Sequence, residues 1–389
     1  MVLHGQMLAR SVLAWELTQD EMSLAWINLA FAIPMILLAF PGGALNDRIN
    51  RLELLRVSQV ILVINEAVVW LLLLSGKLQF WHLLVSGLIG GSVFPVVLPA
   101  RNATIFNIVG GKLLGSATAL SMTVMNITRV IGPAASGLII AGYGIDAAYA
   151  LAVTLSVLAL VTALPIPTSL SPSFVREAQQ NILQDAVEGV HYILERKTII
   201  VSIAFGFLPL MLLIPLQNLM VLFTTQVWPV GEYGLGLLLA VAGLGGTVGS
   251  FWVASRGENT QRVKLMVVSM LLYAALSIAF SVQANFYVAL VLLFVAHCGA
   301  AISTTLNNTA IQLLTDDEQR GRVSSITMAV LGFAPLAVVP MSWIAKHWGI
   351  ATSVSLTSLI LLISALLLYG LSDTMREMDL HVEAARQRH

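Results

Sequence analysis

Long apolar runs alternate with short polar stretches along the chain. After a first apolar segment at 1–17, further runs lie at 22–44, 53–75, 81–99, 113–141 and 147–164. A polar stretch at 165–197 follows. Six more runs then come at 198–225, 234–254, 264–283, 286–313, 322–345 and 350–371, ahead of a polar tail from Asp373. Most are near the roughly 20 residues that carry an α-helix across bilayer hydrocarbon. None alternates apolar and polar positions like the strand of an outer-membrane barrel. The pattern predicts an all-α membrane protein whose first helix is truncated. That segment enters helix at once, holds His4, Gln6 and Arg10, and lacks the basic lead-in and cleavage site of a secretory signal.

Composition agrees. Of 389 residues, 58% are apolar and 10% charged, where a soluble domain would carry roughly 25% charge. Such a chain cannot coat a water-soluble enzyme. Twenty basic residues balance 20 acidic ones, so no basic surface calls for nucleic acid. The single Cys298 excludes an internal disulfide. His297 beside it is no metal pair, because adjacent helical residues point different ways. No metal or cofactor is expected.

Lys and Arg set the orientation. If the first segment runs outward, sixteen of the 20 fall on the inner face, Lys77 and Lys346 fall outside, and Arg10 and Arg129 lie within spans. The polar middle and the tail therefore face the cytoplasm. Pro165, Pro167 and Pro172 stop the sixth span. Beyond them Val175, Ala178, Ile182, Ala186, Val190 and Ile193 fall at spacings of three or four, an amphipathic helix. The expected organisation is a bundle at 1–164, a linker at 165–197, a second bundle at 198–372 and a tail at 373–389.

The halves resemble each other. A shift of 206 places Ile105, Gly115 and Leu120 on Ile311, Gly321 and Ile326, and Gly144-Ile145 matches Gly349-Ile350 at 205. Duplicated six-helix units are a common transporter plan, with the substrate between them near the midplane.

The loop after the second span reads Gly42-Gly43-Ala44-Leu45-Asn46-Asp47-Arg48-Ile49-Asn50-Arg51. It resembles the signature Gly-x-Leu-Ala-Asp-Arg-x-Gly-Arg-Arg of the major facilitator superfamily, with Asn50 where glycine is usual. The resemblance implies a fold of two pseudo-symmetric six-helix bundles. It also implies a conformational latch of Gly43, Asp47, Arg48 and Arg51 with Gly321 and Arg322 at the start of the eleventh span. An orientation-setting loop is the plainer reading. The second-half counterpart, Gly249 to Arg256, lacks the acid.

Asn126 to Gly137 in span five, with Arg129, Gly132, Pro133 and Gly137, looks like the Gly-Pro-x-x-x-Gly element of the superfamily's antiporters. Gly243, Gly245, Gly246 and Gly249 give span eight a smooth face, so spans five and eight are expected to pack between the bundles through Gly245 and Gly249. Asn307-Asn308-Thr309-Ala310-Ile311-Gln312, then Asp316-Asp317-Glu318-Gln319-Arg320-Gly321-Arg322-Val323, resembles the exporter branch of bacterial enterobactin and macrolide efflux proteins. Helix capping by Asp316 to Glu318 would account for the acids as well.

Ionisable groups inside spans default to functional candidates. Arg10, Glu66 and Arg129 are three. An Arg129–Glu66 or an Arg10–Glu66 pair would neutralise buried charge, as a static pair or as one that titrates. By resemblance, spans one, four, seven and ten line the cavity, which brings in Trp15, Gln217, Asn218 and Asn307.

The resemblance thus implies a monomeric inner-membrane secondary transporter that exports small amphiphilic organic molecules (drug, macrolide or siderophore) with protons as coupling ion. Alternatives are a lipid or lysolipid translocator, or a non-transporting sensor or scaffold on the same fold. No zinc-hydrolase, nucleophile-elbow or phosphate-loop motif is present, so no enzyme is expected.

Overall fold

The computed structural model describes residues 2–38, 49–170, 182–255, 262–316 and 333–386, with isolated positions between 319 and 330; over 98–134 many side chains are left out. The described residues are helices and turns, without a strand. The chain divides into two compact units. One comprises Met1–Gln180 with Val230–Leu237, the other Asn181–Pro229 with Leu238–His389.

The first unit contains α1 (Val2–Thr18), α2 (Glu21–Leu37), α3 (Arg51–Leu74), α4 (Phe80–Tyr143) and α5 (Ile145–Ala163). Asp20 starts α2 by accepting the Met22 N–H at 3.2 Å. Asn50, the departure from the signature, is the cap of α3. Its side-chain oxygen accepts from Leu52 and Glu53 at 3.0 and 3.3 Å, while its amide donates to the Thr168 carbonyl at 3.1 Å. Glycine could make neither bond. Arg56, two turns on, donates to the carbonyls of Ala163, Leu164 and Ile166, which the end of α5 leaves without intrahelical donors.

Spans four and five were expected as two runs joined by a loop. They form one 64-residue helical run, α4, and the connection around Arg101 to Lys112 is itself helical. The run stays helical although Pro99 and Gly110-Gly111 lie within it.

The second unit contains α6 (Ile182–Glu195), α7 (Lys197–Phe207), α8 (Leu210–Leu222), most of α9 (Gly231–Ser255), α10 (Arg262–Ser281), α11 (Phe286–Leu314), α12 (Val338–Trp348), α13 (Ile350–Leu371), α14 (Asp373–Arg376) and α15 (Met378–Arg386). Span seven is one apolar stretch, Lys197–Val227, as expected, with its helix interrupted at Leu208–Pro209 because Pro209 has no N–H for the Phe205 carbonyl. Span eleven is also irregular. A 3₁₀ turn at Ala334–Ala337, with Pro335 inside it, precedes α12. Among the described residues eight helical stretches are long and apolar enough to cross a bilayer, and α2 is a shorter apolar helix of 17 residues.

The duplication has a backbone counterpart. Gly144 joins α4 to α5 at φ +86°, and Gly349 joins α12 to α13 at φ +85°. Each ends one helix and starts the next in a conformation that side chains disfavour.

The linker helix and the tail of the second unit are not loose. Linker helix α6 docks through Ile193, which packs with Ile199, Ile311 and Val323. Asp316 holds α6. Its carboxylate accepts from the Tyr192 hydroxyl at 2.9 Å and from Arg196 at 3.0 Å, and its N–H donates to the Tyr192 oxygen at 3.0 Å. The Arg196 guanidinium also lies 3.7 Å over the Tyr192 ring.

The tail folds back likewise, with Met375, Met378 and Val382 buried. Asp379 of α15 accepts the Val263 N–H at the start of α10, at 3.2 Å. Partial burial raises the Asp379 carboxyl above its ordinary range, against the lowering pull of the Val263 amide and Arg262. Docking of α15 is therefore strongest below the ordinary carboxyl range and weakens as pH rises through the raised value. Asp379→Asn, which keeps the acceptor and sheds the charge, should leave α15 docked or tighten it at neutral pH. Asp379→Ala strands the Val263 N–H and should loosen it by about 1 kcal/mol. Hydrogen exchange over 378–386 reads both.

Candidate functional site

The first unit buries a charged pair. Arg10 Nη2 donates to Glu66 Oε1 at 2.8 Å, with the two side chains 7% and 2% exposed. Each residue lies eight positions before the C-terminal end of its helix, about 12 Å at 1.5 Å per residue, so α1 and α3 bring them to one level. Of the two pairings open from sequence, this one forms. Arg129 and Asn126 lie in helical backbone of α4, but their side chains are outside the described residues.

Around the pair the unit is polar in a specific way. Asn65, beside Glu66, donates to Ser86 Oγ of α4 at 3.0 Å. Gly90, one turn beyond Ser86, faces the guanidinium, and a Cβ there would lie at ordinary contact distance, 3.7 Å, from Arg10 Nη1. Tyr149 of α5 is 1% exposed and within electrostatic reach of both Arg10 and Glu66. Gln6 sits one turn before Arg10 on α1 and is also buried.

The contact between Arg10 and Glu66 uses one nitrogen and one oxygen. Arg10 Nε, Glu66 Oε2, the Tyr149 hydroxyl and Gln6 Nε2 are buried without a hydrogen-bond partner among the described residues. Most buried polar groups are satisfied, so four such atoms around one ion pair mark a site. Sequence placed Arg10 and Glu66 there. Tyr149 carries no sequence signal, as one tyrosine in an apolar helix whose partners arrive from α1 and α3.

The other candidates scatter. Trp15 is 9% exposed within the first unit. Gln217 is exposed, and Asn218 spends its amide on the Ile214 carbonyl of its own helix at 3.0 Å. Asn307 of α11 is 1% exposed with both amide atoms unpartnered among the described residues. It presses on Gly206 of α7, where a Cβ would lie 2.4 Å from Asn307 Nδ2, three residues before the break at Pro209.

Of the latch, Gly43, Asp47, Arg48, Gly321 and Arg322 lie outside the described residues; Arg51 opens α3. In the antiporter-like element Gly132 is buried, the Pro133 side chain is outside the described residues, and Gly137 meets Gly236 of α9 within the first unit, where a Cβ on Gly137 would lie 2.2 Å from the Gly236 Cα. Gly245 and Gly249, expected against span five, face α11 instead. A Cβ on either would lie 2.3 Å from the Phe294 carbonyl oxygen or 2.4 Å from that of Cys298. Helix α9 turns about 100° per residue, so Gly236 and the later pair serve different neighbours.

Among the described residues no cluster of His, Cys, Asp and Glu could hold a metal.

A family model described as "Transmembrane secretion effector" matches residues 4–388. The chain is 21% identical to the staphyloferrin A transporter of Staphylococcus aureus, over 92% of this chain and 89% of that protein. It is also 21% identical to macrolide efflux protein A of Streptococcus pyogenes, over 86% and 84%. Among solved structures, a bacterial homologue of the human lysosomal transporter Spinster, in an inward-facing unoccupied conformation, aligns with a TM-score of 0.70 at 13% identity over 99% of this chain and 96% of that one. A D-xylose–proton symporter gives 0.70 at 15% over 96% and 97%. The chain belongs to the transmembrane secretion effector family and has the fold of the major facilitator transporters, which are carriers in the membrane and not enzymes.

Proposed function

We propose that this protein exports small amphiphilic organic molecules, of the macrolide, drug or siderophore kind, by alternating access, and that Glu66 carries the coupling proton. The observation that carries the reading is the Arg10–Glu66 pair at 2.8 Å in the interior of the first unit. Charge inside membrane spans is costly and is kept where function needs it. The named activities of the macrolide and staphyloferrin A relatives support the cargo class.

In this reading the protein is a monomer of the inner membrane with its C-terminus in the cytoplasm, as the excess of Lys and Arg on that side requires. Asp47 latches the halves from the signature loop, at the positive end of the eleventh span. Gly43, Arg48, Arg51, Gly321 and Arg322 complete the latch. Asn307, Gln217 and Asn218 belong to the cargo path of the second half.

Reconstituted vesicles with an imposed pH gradient test this with a macrolide as cargo. Wild-type flux should follow the gradient. Glu66→Gln should still exchange cargo down its own gradient but no longer respond to pH. Asp47→Asn should slow flux about tenfold, as loss of roughly 1.4 kcal/mol from one conformer would. Equal response to the gradient in wild type and Glu66→Gln would remove Glu66 as carrier.

A further inference from the structure

We propose that the chamber around Arg10 is a binding site for a small monovalent anion, filled when Glu66 takes up a proton. The argument begins with the sign of the unpartnered atoms. Arg10 Nε, Gln6 Nε2 and the Tyr149 hydroxyl are buried and lack partners among the described residues. All three can donate. The Trp70 indole N–H, one turn beyond Glu66 on α3, is buried and unpartnered too. Against these stands one unpartnered acceptor, Glu66 Oε2. A chamber with spare donors and a guanidinium is complementary to an anion.

The guanidinium is only partly engaged. Glu66 engages Nη2 alone, so the Nε edge of the fork is unused. Gly90 bears no side chain where Arg10 lies against α4. Gln6 stands one turn along α1 on the same face, and Tyr149 approaches from α5.

Charge then fixes the linkage. With Glu66 ionised the pair is neutral, and an added anion would place two negative charges on one guanidinium in a low-dielectric interior. With Glu66 protonated, Arg10 is an uncompensated buried cation. An anion restores neutrality, so each event favours the other, reciprocally. Among the described residues the ionisable groups facing Glu66 are few, the Arg129 side chain of α4 lying outside them. Helix α1 brings Arg10 and α5 brings Tyr149, while α4 brings Ser86 and Gly90, which do not titrate. On these groups the proposal has one proton accompany one anion.

The anion could be inorganic or the carboxylate of an organic molecule, and the two sources are separable. The full chain in lipid nanodiscs is titrated calorimetrically with chloride and, separately, with acetate, at several pH values and in buffers of different ionisation enthalpy. For at least one of them affinity should rise about tenfold per unit fall in pH, with uptake of one proton. A response to chloride assigns an inorganic ion, and one to acetate assigns a carboxylate. Glu66→Gln, which fixes the neutral form, should bind at every pH with the affinity of the acid limit. Tyr149→Phe should bind about fivefold more weakly. The charge-free pair Arg10→Gln with Glu66→Gln should not bind. Absence of binding in both wild type and Glu66→Gln overturns the proposal, as does binding without proton uptake or binding that survives in the double variant. None of these readouts involves flux, so the site stands or falls apart from the transport reading.

Discussion

Arg10→Ala and Glu66→Ala should each destabilise the protein by about 3–5 kcal/mol, whereas Arg10→Met with Glu66→Leu should return to within about 2 kcal/mol of wild type. The reasoning rests on where the pair sits. Both side chains are almost fully withdrawn from the surface, and Arg10 is the one charged group that acts on Glu66 among the described residues. Removing one partner leaves the other as an isolated ion in an interior that cannot solvate it. Removing both takes away the ions together with the cost of burying them, and Met and Leu keep most of the volume. Thermal unfolding of the detergent-solubilised protein, arranged as a double-mutant cycle, reads the coupling. Single losses below about 1 kcal/mol would mean that water reaches the pair. The same double variant separates structure from function, because it should fold and yet lose its response to a pH gradient.

How much of this was legible in the sequence follows from which forces are local. Runs of apolar residues in lipid have to be helices or barrel strands, because no water satisfies the backbone, and the missing alternation chose helices. The Gly-Ile turns repeated because the same positive φ recurs at Gly144 and Gly349. Arg10 and Glu66 stood out because charge in an apolar run is rare. Partner choice was not legible. Arg129 and Arg10 offered equal chemistry to Glu66, and the Arg10 contact comes from the packing of α1 beside α4 and α5. Tyr192 and Asp316 are 124 positions apart, and nothing in either neighbourhood announces that the linker helix is fastened there. Local rules also overpredicted breaks. Residues 100 to 112 read as a polar connection, yet their backbone is helical. Pro209 was passed over inside a run whose apolar length concealed its missing N–H.

Gly245→Val with Gly249→Val should cost about 3 kcal/mol or more, while Gly246→Ala should be neutral or slightly stabilising. Apolar helices in lipid gain little from hiding apolar surface, and their association depends on close backbone approach and good contact. On α9 the two outer glycines are one turn apart and both face α11. A Cβ at 245 would lie 2.3 Å from the Phe294 carbonyl oxygen, and one at 249 would lie 2.4 Å from that of Cys298. Both obstacles are backbone, so no rotamer change relieves them and the helices must separate. Overpacking of a tight contact costs about 1–3 kcal/mol per site. Separation also forfeits the dispersion contacts along the seam. Gly246, on the same turn of the same helix, has nothing within 4 Å of its Cβ position, so alanine there gains helix propensity of about 0.5–1 kcal/mol without a clash. The contrast controls for general intolerance of substitution in α9, since a propensity effect would move all three glycines together and a packing effect moves only the two that face α11. Melting temperatures that fell equally for Gly246→Ala and Gly245→Ala would show that α9 and α11 are not in the close contact described.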